Sequence, residues 1–189
     1  MTICIFPGTF NPIHIAHLKM AQFALDKYDF EKIIFIPAFI PPHKNIDNGL
    51  ANHRFNMVKL ATNMNPRFVI SDIEYKSEGK SYTIYTVQKI RKMYNIKDRL
   101  NMIIGTDAFL NIKTWYKADE LKDLVHFIVF PRGNEKECYI DKNKYKEYSY
   151  EIADMQKIDV SSTELRQNPK KESIKEVKDY IKDNELYNR

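Results

Sequence analysis

Apolar residues along the chain come in short unbroken runs separated by stretches of helical period. Residues 3–6 (Ile-Cys-Ile-Phe), 33–36, 102–104 and 127–130 are apolar throughout. A strand covered on both faces has no polar side to show, so continuous runs of this length predict parallel strands inside a sheet. Weaker strand patterns lie at residues 67–71 and 155–160. Between the runs, Leu18, Ala21, Leu25 and Tyr28 recur at helical spacing within residues 17–28. Phe55, Val58 and Ala61 do so within 54–63, and Tyr85, Ile90 and Met93 within 82–94. A last amphipathic stretch, residues 172–187, places Ile174, Val177 and Ile181 on one face.

Strands that alternate with helices predict an α/β fold, a Rossmann-like, doubly wound parallel sheet with C-terminal helices. A length of 189 residues suits a single domain spanning residues 1–189. Residues 134–154, dense in Lys, Glu and Tyr, are read as an exposed, partly helical excursion, and residues 161–189 as a C-terminal helical part. In such sheets ligands bind beyond the carboxyl ends of the strands. The turns after Phe6 and Ile104 and the segment after Ile36 are expected to meet there.

The net charge of +5 admits an acidic partner, and nucleotides account for it as well as nucleic acid does. Cys4, inside an apolar run, and Cys138, in a charged segment, read as reduced thiols. No apolar stretch reaches membrane-spanning length and none reads as a signal peptide, so a cytoplasmic location is expected.

Chemistry concentrates in four segments. Gly8-Thr9-Phe10-Asn11-Pro12-Ile13-His14-Ile15-Ala16-His17 follows the first apolar run and leads into a helix. A small-residue turn at a helix N-terminus leaves backbone N–H groups for an anion. His14 and His17, three apart, share a face of the first turn. Pro41-Pro42-His43-Lys44 follows the second strand; the prolines stiffen it, and Lys44 is a point charge for a phosphate. Gly105-Thr106-Asp107 ends the 102–104 run, with Trp115-Tyr116 shortly after. Asp107 suits a ribose hydroxyl or a helix N-cap, and Trp115 suits a stack on a heteroaromatic ring or a place in the core. Val160-Ser161-Ser162-Thr163-Glu164-Leu165-Arg166 pairs Ser161 with Glu164 as a capping box, and places Ser162 and Arg166 on one face. Ser81-Tyr82-Thr83 reads as a serine-capped helix start.

These segments together resemble the nucleotidylyltransferase superfamily, and within it they are similar to the bacterial nicotinate-nucleotide adenylyltransferases. The signature Gly-x-Phe-x-Pro-x-His-x-x-His is matched from Gly8 to His17, and residues 160–166 resemble the family's Ile-Ser-Ser-Thr-x-Ile/Val-Arg. Pro7, Asn11 and Ala16 stand where the family usually has Gly, Asp and Gly. The resemblance implies that Gly8, Thr9, Phe10, His14 and His17 cradle the ATP phosphates, with Ser161, Ser162, Thr163 and Arg166 at the pyrophosphate end. Phe130-Pro131-Arg132-Gly133, similar to the family's Arg-Pro-Gly, adds Arg132 to the ATP side. Gly105 and Asp107 would meet ribose. His43, Lys44, Thr83, Asp107, Trp115 and Tyr116 would receive nicotinate mononucleotide, with Trp115 on the pyridine ring.

The implied reaction is transfer of AMP from ATP to the 5′-phosphate of nicotinate mononucleotide, giving deamido-NAD and pyrophosphate. His14, His17, Lys44 and Arg166 are its catalytic set. Mg²⁺ is expected to arrive with ATP, since no carboxylate cage marks a metal site of the chain's own. The partners expected are the two nucleotides, with no nucleic acid and no membrane; a homodimer is left open. The alternatives are the same chemistry on nicotinamide mononucleotide or phosphopantetheine, or a non-catalytic nucleotide- or RNA-binding module.

Overall fold

A computed structural model of the chain describes residues 2–42, 48–77, 79–131, 139–155, 162–167 and 174–187. Strands β1 (Ile3–Gly8), β2 (Lys32–Pro37), β3 (Phe68–Ile70), β4 (Leu100–Gly105), β5 (Val125–Phe130) and β6 (Ser149–Ile152) form one sheet. Its order is β3-β2-β1-β4-β5-β6, and every neighbouring pair is parallel. Chain order reverses between β1 and β4, so the crevice beyond their carboxyl ends is the switch point of a doubly wound sheet.

The period of two along each strand divides the core into two layers. Cys4, Phe6, Ile33, Phe35, Ile103 and Ile128 pack against α1 (Ile15–Tyr28) and α2 (Ala51–Thr62). Ile3, Ile5, Ile34, Ile36, Met102 and Phe127 pack against α3 (Thr83–Met93), α4 (Thr106–Phe109) and α5 (Ala118–Leu124). Each such side chain, fully buried, contributes about 1.5–3 kcal/mol, which is why the strands carry almost no polar residue. Two further helices, α6 (Ser162–Gln167) and α7 (Lys175–Asp183), complete the chain. Val177 of α7 joins the α1/α2 layer.

Register brings the strand ends level. Gly8 pairs with Pro37, and Gly105 with Phe130. The β1–β4 pairing of Cys4 with Asn101 and Ile5 with Met102, carried three residues on, sets Gly8 beside Gly105.

Four expectations from the sequence are corrected. The sixth strand is Ser149–Ile152, inside the segment read as an excursion, and Met155 is not in a strand; residues 156–160 lie outside the described residues. That segment is also less exposed than its composition suggested. Ile140, Tyr145 and Tyr148 are buried, and the Tyr145 hydroxyl donates to the Leu110 carbonyl at 2.7 Å. A tyrosine whose hydroxyl finds a partner packs like a phenylalanine. On α3 the core face is Ile84, Val87 and Ile90, whereas Tyr85 and Met93 are exposed. The last helix stops at Asp183, and residues 184–187 form a turn.

Candidate active site

The turn between β1 and α1 is built on Gly8 and Phe10. Phe10 has φ of 47°, and its ring folds beneath Gly8 so closely that a Cβ there would lie 2.7 Å from Cζ. The ring is buried against Phe6 and edge-on to His17, with centroids 5.4 and 5.1 Å away. Phe10 therefore supports the turn from the core, and what it can offer a ligand is its backbone.

His14 is the N-cap of α1, and His17 sits one turn on. The backbone N–H of His14 donates to Nδ1 of His17 at 3.2 Å, and the His17 N–H donates to the His14 carbonyl at 2.9 Å. An Nδ1 that accepts leaves the proton of a neutral imidazole on Nε2. The rings lie 3.8 Å apart between centroids and are 1% and 9% exposed. The arrangement sets two imidazoles at the positive end of a helix, suited to an anion.

Arg54 was not singled out from the sequence. It lies on the apolar stripe of α2, between Ala51 and Val58, and is fully buried. Its guanidinium donates to the carbonyls of Thr9 at 2.8 Å, Ala38 at 2.6 Å and Phe39 at 3.0 Å. One cation thus ties the turn after β1 to the segment after β2. Burial lowers its pKa, but a guanidinium remains charged. A charged residue in a core stripe was the available signal.

The segment after β2 is also held from its other side. The Ser81 hydroxyl accepts from the N–H groups of Phe39 at 2.9 Å and Ile40 at 3.1 Å, and the Ser81 N–H donates to the Ile40 carbonyl at 2.9 Å. Tyr82, not Ser81, is the N-cap of α3, so Ser81 is an anchor rather than a cap. Below it, Glu74 is buried and accepts from Thr86 at 2.7 Å. Burial raises the Glu74 carboxyl, against the opposing pull of the Thr86 hydroxyl and of the Arg54 charge.

Across the crevice, Thr83 opens α3. The Tyr82 ring lies 4.5 Å from that of Tyr116, which brings the segment after α4 beside this helix N-terminus. Trp115 is half-buried and packs against the α3–α5 core layer. Gly105 is the N-cap of α4, so Asp107, exposed in the first turn, is not the cap. On the far side of the turn, Ser162 Oγ donates to the Pro12 carbonyl at 2.9 Å and Arg166 Nη1 to the Asn11 carbonyl at 2.6 Å. Arg166 Nη2 also donates to Thr163 Oγ1 at 3.0 Å. The expected shared face of Ser162 and Arg166 is thus applied to the turn between β1 and α1 itself. His43, Lys44, Arg132 and Ser161 lie outside the described residues.

A parallel sheet in this order, with a glycine turn opening onto a helix N-terminus at the switch point, defines a nucleotide-binding α/β protein. Residues 5–168 match the cytidylyltransferase-like family. The chain is 41% identical over 200 aligned positions to a probable nicotinate-nucleotide adenylyltransferase of Caldicellulosiruptor bescii, with 100% of both chains covered. It is 40% identical over 172 positions to the one from Caldicellulosiruptor saccharolyticus, covering 88% of this chain and 85% of that one. Plasmodium falciparum nicotinic acid mononucleotide adenylyltransferase, solved in complex with NaAD, shares the fold with a TM-score of 0.80 at 22% identity. That match covers 98% of this chain and 96% of that one. The chain belongs to the cytidylyltransferase-like family and, within it, to the nicotinate-nucleotide adenylyltransferases. It is a nucleotidyltransferase, as the resemblance read from its motifs implied. Among the described residues no helix is long and apolar enough to cross a membrane.

Proposed function

We propose that this protein transfers AMP from ATP to the 5′-phosphate of nicotinate mononucleotide, giving deamido-NAD and pyrophosphate. The observation that carries the reading is two helix N-termini at one sheet edge. α1 presents the His14–His17 pair, and α3 presents Thr83 beside the Tyr82–Tyr116 contact. The first suits a polyphosphate and the second a carboxylate next to an aromatic ring. The names of the curated relatives point the same way, as does the NaAD complex of the Plasmodium falciparum enzyme.

An oxygen of the acceptor phosphate bonds to the α-phosphorus as the bond from that phosphorus to the pyrophosphate oxygen breaks. The attacking group is already ionised, so no general base is needed and catalysis rests on positioning and on charge stabilisation. His17 donates from Nε2 and His14 works beside it. Arg166, with Ser162 and Thr163, takes the pyrophosphate end, and Lys44, placed here by resemblance, meets phosphate near the reacting centre. Gly105 and Asp107 receive ribose, and Trp115 receives the pyridine face. Mg²⁺ accompanies ATP and neutralises phosphate charge. Among the described residues no group of three or more His, Cys, Asp or Glu is placed to hold a metal. Both substrates are cytoplasmic nucleotides in this reading.

The test is pyrophosphate release from ATP and Mg²⁺ with nicotinate mononucleotide, nicotinamide mononucleotide or phosphopantetheine as acceptor. A strong preference for the nicotinate form is expected. Preference for another acceptor would overturn the pocket assignment, and no release with any of them would overturn the reaction.

A further inference from the structure

The turn after α7 brings the last described residue into the phosphate turn. Glu185 and Tyr187 have φ of 51° and 62°, the left-handed region that costs a non-glycine residue about 1–2 kcal/mol. Leu186 between them is buried in the α1/α2 layer, and the Tyr187 hydroxyl bonds to Oδ1 of Asn11, 176 residues away in sequence. Asn11 is thereby held twice, by Tyr187 on its side chain and by Arg166 on its carbonyl.

The same region is reached by a second route. The Tyr180 hydroxyl of α7 accepts from Asn56 Nδ2 at 3.0 Å and lies 3.0 Å from His53 Nδ1, which docks α7 on α2. The residue after His53 is Arg54, whose guanidinium holds the Thr9 carbonyl. The two routes from α7 thus end on Thr9 and Asn11, the neighbours of Phe10, whose ring packs on His17. Burial pushes the Tyr187 phenol up to about 12, although Arg166 and Arg54 pull it down, so the hydroxyl keeps its proton and acts as the donor to Asn11.

We propose that Tyr187 is a positioning residue for adenylyl transfer. It fixes Asn11, and so holds the turn from Gly8 to His14 in the form that receives the ATP phosphates. The inference rests on the adenylyltransferase reading and adds to it a coupling between the C-terminal turn and nucleotide binding. Coupling is reciprocal, so a bound nucleotide tightens the docking of residues 174–187.

The experiment compares wild type, Tyr187→Phe, Asn11→Ala and the double variant. The dissociation constant of a non-hydrolysable ATP analogue is measured by calorimetry, steady-state constants for both substrates by pyrophosphate release, and Tm in parallel. Tyr187→Phe keeps the ring that packs and removes only the hydroxyl. The expected result is analogue binding weakened roughly 5- to 20-fold, KM of the acceptor unchanged, and a double variant no worse than the worse single one. Hydrogen exchange in residues 174–187 should slow on adding the analogue to wild type and not to Tyr187→Phe. Unchanged analogue binding in a folded Tyr187→Phe, or additive effects in the double variant, would overturn the proposal. Should Tyr187→Phe fail to fold, the exchange response of wild type and the binding of Asn11→Ala decide it. A wild type that binds the analogue but releases no pyrophosphate would refute the reaction and leave the coupling measurable.

Discussion

The N–H of His14 donates to Nδ1 of His17, and that bond sets which nitrogen of His17 carries a proton. The donor role therefore belongs to Nε2, and two substitutions separate it from the turn's own geometry. Gln can place an amide N–H near the Nε2 position, whereas Asn can accept from His14 but cannot reach further. His17→Asn is expected to lower kcat by roughly 10²–10³, the worth of one preorganised donor, with His17→Gln retaining clearly more. Equal losses in two folded variants would show that Nε2 is not the working atom.

Gly8 and Phe10 are fitted to one another. A methyl group on Gly8 meets a ring that Phe6, His17 and Phe35 enclose, so the ring has nowhere to swing. Gly8→Ala should cost about 1–3 kcal/mol through overpacking and should displace His17, lowering turnover more than stability alone explains. Shortening the ring relieves the contact, so Gly8→Ala with Phe10→Leu should melt higher than Gly8→Ala. A double variant that melts lower would refute the fitted pair.

Arg54 joins two loops through three carbonyls, and removing it leaves a buried void and part-buried acceptors without donors. Arg54→Met is expected to destabilise the fold by about 3 kcal/mol, lowering Tm by about 10 °C for a chain of this size. Arg54→Lys keeps the charge but cannot span all three oxygens, so it should fall between. Urea unfolding of the three proteins checks the order; a Lys variant as stable as wild type would show that the charge alone suffices.

What could be read from the sequence follows from how local each requirement is. Strands β1, β2, β4 and β5 were legible because burial on both faces leaves an unbroken apolar run. Strand β6 was not, since an edge strand needs one packed residue, Tyr150, and tolerates Glu151 and an exposed Ile152. The turn from Gly8 to His17 was legible because its contacts are local: Phe10 fits under Gly8 and His14 bonds His17, which sets residue types at fixed short spacing. Arg54 was passed over because an arginine reads as solvated unless its stripe is weighed. The Tyr187–Asn11 bond spans nearly the whole chain and leaves no local mark. Ser81 was placed at the right spot with the wrong task, because a cap and an anchor use the same hydroxyl.

Trp115 and the α1 turn should separate the two substrates kinetically. Trp115 is half-buried, so one side of the indole packs while the rest remains for a ring. Trp115→Ala is expected to raise the acceptor's KM roughly tenfold or more, since stacking on an aromatic is worth about 1–3 kcal/mol, with the KM of ATP little changed. Trp115→Phe should recover part of the loss. An effect confined to ATP would move the pyridine ring elsewhere.

Glu74 gives stability a pH dependence whose sign is set by burial. Its carboxyl titrates above the ordinary value of 4.5 in the folded protein, chiefly because burial disfavours the charged form. Between 4.5 and the raised folded value, the folded chain holds a proton that the unfolded chain has released. Stability from this group therefore falls as pH rises through that window and is retained below it. Glu74→Gln preserves an acceptor for Thr86 and cannot ionise. Its urea midpoint relative to wild type should accordingly rise with pH from about 4.5 upward. Two curves that stay parallel between about pH 4 and pH 8 would show that Glu74 ionises in the folded protein as it does in the unfolded chain.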